Sequence, residues 1–172
     1  MTDWPDDYLG KSPDAGRMGK AAEYLVAAVC ILATRGRLNV STSIVDDEGV
    51  DLVFHLRDST ATLAVQVKAR MTDGAVAQRG RIQAQVRSQT FRPREDLDML
   101  FVLVDNLNGA IKTAWLVPSV EFDRLHGRAT TRGNFRFSAS TKEGTRDQWF
   151  PFRLTAGELP GKIMSRLEGF GR

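Results

Sequence analysis

The chain is poor in the side chains that build cross-links and soft-metal sites. Among its 172 residues there is one cysteine, Cys30, and there are two histidines, His55 and His126. A single thiol excludes a disulfide framework and a cysteine-rich zinc site, and two scattered imidazoles do not indicate a histidine-based one. Because Cys30 lies in an apolar helical stretch, we expect it to be a small buried hydrophobe.

Long apolar runs and nucleotide-binding motifs are also missing. No run approaches the roughly 20 residues of a membrane span, and the N-terminus lacks the basic and apolar regions of a signal peptide. We therefore expect a cytoplasmic protein without membrane association. The sequence has no P-loop, no G-X-G-X-X-G and no G-X-S-X-G, so nucleotide hydrolysis, dinucleotide binding and a hydrolase elbow have no support.

The remaining composition is that of an ordinary globular protein, with 42% hydrophobic and 26% charged residues. This length suits one domain with one core. The polar start predicts a flexible lead-in over residues 1–14, followed by a single domain over 15–172. Within it we expect a core over 15–117 and a β-rich C-terminal elaboration over 118–172.

The hydrophobic pattern predicts an α+β fold in which an N-terminal helix packs on a mixed central sheet. Residues 17–34 favour a helix, with Asp14 as a possible N-cap and Gly36 where the helix would stop. Since this helix is apolar almost all round, we expect it to be covered on more than one side. The predicted strands are 38–45, 50–57, 61–70, 81–87, 99–104, 110–117, 134–140 and 148–154.

Strand order follows from spacing and burial. The first three strands form a meander, 99–104 is a buried central strand, and 110–117 pairs with it. We expect 134–140 to pair with 148–154. A short helix is predicted over 119–125, and a closing helix over 156–167, interrupted near Pro160.

Positive charge is concentrated in one segment. The net charge is +3, but residues 68–94 carry seven basic side chains and one acidic side chain, whereas residues 1–67 are net acidic. Clustered arginine is a phosphate-binding footprint, and a solvated surface is the alternative. Phe91 either stacks a base between these arginines or closes a loop over the sheet. The candidate nucleic-acid contacts are Arg70, Arg81, Arg87, Arg92 and Arg94.

The second and third strands bring polar residues together. If their loop is symmetric about Asp58 and Ser59, Asp51 faces Gln66 across the hairpin. Directly opposed residues have Cβ atoms about 5 Å apart. Lys68 lies two residues beyond Gln66 on the same face, roughly 6.6 Å along the strand. This register predicts a polar cluster at the open end of the hairpin.

Glu23 could complete that cluster. On a helical wheel it falls on a side whose other members, Ala27 and Cys30, are small and apolar. A carboxylate is costly to bury unless it is paired or coordinated, and small neighbours would let this side of the helix approach a sheet closely. Lys20, one turn earlier, is the alternative partner.

Such a set suits Mg²⁺, a hard cation that takes oxygen ligands and retains several waters. The candidate metal ligands are Glu23, Asp51, the amide of Gln66 and the main-chain carbonyl of Val67. The metal would polarise a phosphoryl oxygen and acidify bound water. Lys68 could orient that water or stabilise transition-state charge. If there is no chemistry here, Asp51 is a strand-edge turn residue and Lys68 a surface lysine.

At these residues the sequence resembles the PD-(D/E)XK nuclease superfamily. That superfamily has a helix with an acidic residue, a strand that opens with Asp and a strand that ends in (Asp/Glu)-X-Lys. Glu23, Gly49-Val50-Asp51 and Gln66-Val67-Lys68 occur here in this order. The form G-V-D followed by Q-V-K is similar to the Mrr-type branch and related junction-resolvase-like nucleases. The resemblance covers about residues 16–70.

The resemblance implies a restriction-endonuclease-like α/β/α core and an endonuclease that cuts DNA with Mg²⁺ or Mn²⁺. Glu23 and Asp51 would be metal ligands, Gln66 a weaker ligand or orienting group, and Lys68 the catalytic lysine. Because Gln66 replaces an acid, an inactive member that binds nucleic acid or a protein is one alternative. A structural protein with a buried polar network is another. Two-strand cutting with one site per chain would favour a homodimer.

Overall fold

The computed structural model describes residues 13–45 and 49–171. The predicted lead-in over 1–14 therefore falls almost wholly outside the described residues. The helices are α1 (Pro13–Ala33), α2 (Ala75–Gln78), α3 (Ser119–Leu125) and α4 (Leu159–Phe170). The strands are β1 (Leu38–Thr42), β2 (Leu52–Leu56), β3 (Thr62–Met71), β4 (Arg81–Arg87), β5 (Leu97–Asp105), β6 (Ala110–Pro118), β7 (Asn134–Ser140) and β8 (Arg153–Leu154). In these ranges no helix combines the length and apolarity needed to cross a bilayer.

Six strands form a mixed sheet in the order β1-β2-β3-β5-β6-β8. The strands β1, β2 and β3 form the predicted antiparallel meander, and β5 runs parallel to β3. The strand β5 is apolar along most of its length because both of its faces are covered. The sheet, the N-terminal helix and the closing helix give the predicted α+β architecture.

The two faces of this sheet are covered differently. Helices α1 and α4 cover one face, which alternate residues of β3 such as Val65 and Val67 help to form. On the other face, α3 and a second sheet of β4 and β7 cover β5 and β6. Trp115 and Trp149 are both buried in this second core.

Helix α1 differs from its prediction at two points. It begins at Pro13, so Asp14 lies inside the first turn and is not the N-cap. Its outer side, including Tyr24 and Leu32, is exposed, so the expectation of cover on more than one side is wrong. Within residues 13–45 and 49–171, the helix packs mainly on the sheet and α4. Cys30 is buried as expected, and burial raises its pKa to about 12.

The C-terminal segment also departs from expectation. Strand β7 pairs with β4, not with residues 148–154. Within 148–154, Phe150–Phe152 form a turn of 3-10 helix. The extended part is β8, which pairs with β6. Pro151 lacks an N–H to donate to a strand ladder, which explains the early loss of extended structure.

Helix α4 is tied to the sheet by a buried ion pair. Arg166 donates from Nε and Nη2 to the two carboxylate oxygens of Asp98, at 2.9 and 2.8 Å. Its Nη2 also donates to the Glu95 carbonyl at 2.9 Å. Burial raises the pKa of Asp98, and the bonds from Arg166 oppose that rise. The pair fixes the closing helix against the start of β5.

Candidate active site at the open end of the β2–β3 hairpin

The hairpin has the register that the sequence predicts. Leu52 pairs with Val65 and His55 with Thr62, as expected for a loop centred on Asp58 and Ser59. Asp58 adopts a positive φ of 59°, a conformation that Asp tolerates in turns better than most residues. Since this register holds, the start of β2 lies beside the middle of β3.

Asp51 lies just before β2 and is bonded to β3 on either side of Gln66. Its N–H donates to the Val65 carbonyl at 3.0 Å. Its Oδ2 accepts a hydrogen bond from the Val67 N–H at 2.7 Å. The carboxylate thus takes the place of a strand carbonyl where the β2–β3 ladder ends. Asp51 is thereby fixed beside the Gln-X-Lys segment.

Gln66 is buried, and its amide packs against Gly49. Gly49 has a φ of +68°, which favours glycine. A Cβ at this position would lie 3.1 Å from Nε2 of Gln66. The glycine of Gly49-Val50-Asp51 therefore serves two purposes: it permits the backbone conformation and it leaves room for the amide.

Glu23 is nearly buried and pairs with Lys20, as one sequence alternative predicts. Nζ of Lys20 donates to Oε2 of Glu23 at 2.5 Å. This hydrogen bond is the largest cause of the raised pKa of Lys20, and the negative charges of Glu23 and Asp51 add to it. Both carboxylates thus act on one ammonium group. Glu23 on α1 and Asp51 before β2 therefore both favour a positive charge at the position of the Lys20 ammonium.

The predicted cluster comes from both sides of β3. Helix α1 packs on the face formed by Val65 and Val67, whereas Gln66 and Lys68 project from the opposite face because side chains alternate along a strand. Lys68 is half-buried. Asp51 accepts the N–H of Val67, the residue between Gln66 and Lys68. It therefore lies at the edge between the sheet face that α1 covers and the face that carries Lys68. Val67 contributes its main chain to this contact.

The donor chemistry suits a hard divalent cation. The candidate ligands are carboxylate and amide oxygens, which Mg²⁺ and Mn²⁺ accept. Lys20 already places a positive charge on Glu23, and the charge of Asp51 also favours it. Across residues 13–45 and 49–171, no group of three or more His, Cys, Asp or Glu side chains could hold a metal. A cation here would therefore depend on the amide of Gln66 or on main-chain oxygen besides Glu23 and Asp51.

The five candidate arginines have different surroundings. Arg70 is exposed near the end of β3 on the same face as Lys68. Arg81 and Arg87 are exposed at the two ends of β4. Arg92 is exposed and donates to the Phe91 carbonyl, and Arg94 forms an ion pair with Asp96.

Phe91 does not offer a stacking surface. It is buried and packs edge-on against Phe122 and Phe135, at ring-centroid distances of 5.5 and 5.8 Å. The segment after β4 is thus a loop closing over the second core, which is the other alternative that the sequence left open.

Two basic residues close to the predicted ones were missed from the sequence. Lys20 was considered only as a partner of Glu23, yet the field of Asp51 also reaches it. Its position one turn before Glu23 was the available signal. The second is Arg136 on β7, which lies beside β4. No local signal could reveal it, because the pairing of β4 with β7 joins distant segments.

Comparisons with known proteins bear on the fold. No family model and no curated protein matches the chain. Among solved structures, a bacterial homing endonuclease, I-Ssp6803I, is similar, with a TM-score of 0.51 and 17% sequence identity. The match covers 92% of this chain and 98% of that one. At this identity the likeness concerns the fold alone, and the chain has a nuclease-like α+β fold over nearly all of its length.

Proposed function

We propose that the chain is a divalent-metal-dependent endonuclease of the PD-(D/E)XK type that hydrolyses DNA phosphodiester bonds. The observation that carries this proposal is the position of Asp51. Its main chain and carboxylate bond to β3 on both sides of Gln66, and its charge reaches the same ammonium that Glu23 holds. A fold similar to an endonuclease supports the same assignment.

Each residue of the site has a distinct role in this proposal. Glu23, Asp51 and the amide oxygen of Gln66 would hold Mg²⁺ or Mn²⁺, with the Val67 carbonyl as a further ligand. When bound, the metal polarises the scissile phosphate and lowers the pKa of water. Lys68 orients the attacking water and stabilises negative charge on the phosphate. Lys20, which donates to Glu23, would have to give up this bond for Glu23 to serve as a ligand.

The arginines near the site would hold the DNA backbone. Arg70 and Arg81 are exposed on β3 and β4, and these two strands are in contact. Arg87 and Arg92 extend the positive surface. Contacts to phosphate are independent of sequence and weaken as the salt concentration rises, because the release of counterions from the DNA becomes less favourable. Arg94 is less suited to this role, because Asp96 already neutralises it.

Plasmid cleavage in Mg²⁺ or Mn²⁺ tests the proposal. We expect Lys68→Ala to lower the cleavage rate by about 100-fold or more, since one charge-stabilising group is lost. Asp51→Asn should also abolish cleavage, and its side-chain oxygen can still accept the Val67 N–H bond, so folding is retained. Lys112→Ala, an exposed lysine on β6, is the matched control. Wild-type cleavage rates in both site variants would refute the assignment.

One observation favours a second candidate, a catalytically inactive nuclease-fold protein that binds nucleic acid. Both carboxylates already have protein partners, Lys20 for Glu23 and the Val67 N–H for Asp51. In that case DNA binding would be salt-sensitive but independent of divalent metal. Mg²⁺ would not raise the melting temperature, whereas a metal-binding site would raise it further as the Mg²⁺ concentration increases.

A homodimer is part of the proposal for cleavage. One site per chain cuts one strand, so a double-strand cut calls for two copies. Light scattering of the protein with and without duplex DNA measures this directly. A monomer on DNA that still cuts both strands at once would contradict it.

A further inference from the structure

The strands β4 and β7 form a two-stranded antiparallel sheet with two different faces. The inner face carries Ile82, Ala84 and Val86 from β4 and Phe137 and Ala139 from β7, all buried in the second core. The opposite face points away from that core. We call this pair of strands the ribbon.

The outer face of the ribbon is made of basic, amide and hydroxyl side chains, of which Asn134 and Ser140 are buried. Directly opposed residues in the ladder are Arg81 with Ser140, Gln83 with Ser138, Gln85 with Arg136, and Arg87 with Asn134. None of these eight residues is acidic. The acid bonded to this surface is Asp147, which accepts the Ser140 N–H from the end of the ribbon. The surface is therefore complementary in charge to a polyanion.

Hydrogen bonds across the ribbon orient its polar groups. Nδ2 of Asn134 donates to Oε1 of Gln85 at 2.9 Å, which directs the amide of Gln85. Arg81 donates to the Ser138 hydroxyl at 2.8 Å. Groups held in this way lose less side-chain entropy when they bind.

These side chains are the ones that distinguish base pairs. Arginine donates to O6 and N7 of guanine, and glutamine or asparagine pairs with N6 and N7 of adenine. The major groove of B-DNA, about 12 Å wide, admits a two-stranded ribbon. At about 3.4 Å per residue, seven-residue strands give a ribbon of about 20 Å, long enough to follow the groove over several base pairs.

We infer that the outer face of the ribbon enters the major groove of duplex DNA and reads its sequence, with Gln83, Gln85 and Arg136 as the reading residues. The inference rests on the nucleic-acid-binding part of the proposed function. It goes further, because it adds base contacts from Gln83, Gln85 and Arg136 to the phosphate contacts that the other arginines make. Strand β4 contacts β3, so the ribbon adjoins the strand that carries Gln66 and Lys68.

Selection from a pool of randomised DNA duplexes, followed by affinity measurement on the selected and scrambled duplexes, tests this. The Lys68→Ala background prevents cleavage during binding. We expect enrichment of a defined sequence. Gln85→Ala should reduce discrimination at one base pair by roughly tenfold while leaving the affinity for scrambled DNA unchanged. Gln78→Ala, an exposed glutamine of α2 outside the ribbon, should bind as the unsubstituted background does.

A second variant separates a change in base reading from a loss of folding. Gln85→Glu keeps the shape and can still accept the bond from Asn134, but it can only accept hydrogen bonds. We expect it to move the preferred base at one position towards cytosine, whose N4 group donates. A change of preference at an unchanged melting temperature is not produced by misfolding.

The outcomes separate this inference from the cleavage proposal. Enrichment of a sequence in wild type that both Gln85 variants leave unaltered would overturn the reading role of the ribbon. So would cleavage and binding without any sequence preference, in which case the proposed endonuclease stands. A preference that the ribbon variants change, in a protein that never cuts DNA, would support the ribbon and reject the endonuclease. Absence of DNA binding would reject both.

Discussion

Two acidic side chains of this protein are buried beside basic partners, and they are held in opposite ways. Asp98 is fully buried, and Arg166, whose side chain is 21% exposed, binds both of its oxygens. Glu23 is held by one hydrogen bond from Lys20, whose side chain is 48% exposed. A second carboxylate, Asp51, acts on the same lysine.

The difference indicates which acid is structural and which can exchange its partner. A buried pair that is bidentate and satisfied fixes one geometry, and removing one partner leaves an uncompensated charge. A pair closed by an exposed lysine can open at little cost, because water solvates the ammonium as soon as it leaves. The Glu23 pair is thus arranged for replacement of its cation, and the Asp98 pair is not.

Removal of each acid should give the largest contrast. We expect Asp98→Ala to lower the free energy of unfolding by about 3 kcal/mol, because Arg166 loses its partner. Glu23→Ala should change it by less than about 1 kcal/mol. Urea unfolding measures both. Equal destabilisation by the two variants would mean that Glu23 is as structural as Asp98.

Cleavage should show the reverse order. We expect Glu23→Gln to slow DNA cleavage by roughly 10- to 100-fold, since losses of this size follow damage to groups around a metal. The variant keeps the shape and a hydrogen-bonding oxygen, so its melting temperature should stay near that of wild type. Full activity of Glu23→Gln in the plasmid assay would remove Glu23 from the site.

Two glycines with positive φ allow the effect of crowding Gln66 to be separated from the cost of the backbone conformation. Gly49→Ala and Gly109→Ala both place a side chain at positive φ, +68° and +59°, which costs about 1 kcal/mol of stability in each. The new Cβ meets Gln66 only at Gly49, and nothing lies within 4 Å at Gly109. We therefore expect similar loss of stability but loss of cleavage only in Gly49→Ala. Equal activities would argue against a role for the Gln66 amide.

The smallest effect concerns pH. The pKa of Lys20 is raised above its ordinary value of 10.5, chiefly by the hydrogen bond to Glu23. The stabilisation from this pair is therefore fully present below pH 10.5 and is lost as the pH rises through the higher folded-state pKa. Since Lys20 is largely exposed, we expect the free energy of unfolding of wild type to exceed that of Lys20→Met by only a few tenths of a kcal/mol. The difference should vanish at high pH, and a constant difference would show that it does not come from the charge.

The parts of the site that could be predicted are those set by local rules. The hairpin register followed from a short loop centred on Asp58, which fixes every pair up to Leu52 and Val65. The hydrogen bond from the Val67 N–H to the Asp51 carboxylate could not be predicted from the register, because Asp51 lies just outside β2, where the β2–β3 ladder has ended. The approach of Gly49 to Gln66 depends on the same end of the ladder. Side-chain geometry at such an end is set by three-dimensional packing.

The C-terminal half was harder to predict because its pairing is non-local. Alternation identified both β4 and β7 with their correct bounds, since each buries one face. It could not say which strands pair, because any two strands with one apolar face satisfy the same pattern. The pairing of 134–140 with 148–154 was expected from nearness along the chain. The core of aromatic residues, with Phe137 stacked on Phe101, holds β7 beside β4 instead.

The pairing of β4 with β7 also has a consequence for the order in which the molecule becomes complete. The candidate site residues lie within residues 20–68, whereas the ribbon joins Arg87 to Asn134 across the intervening strands β5 and β6. Strand pairs that close long loops form late, because the chain loses entropy before the contact is gained. During synthesis the candidate site is available for assembly well before β7 has emerged. The surface that we propose selects a DNA sequence would therefore form after the candidate site, and a partly folded chain would lack it.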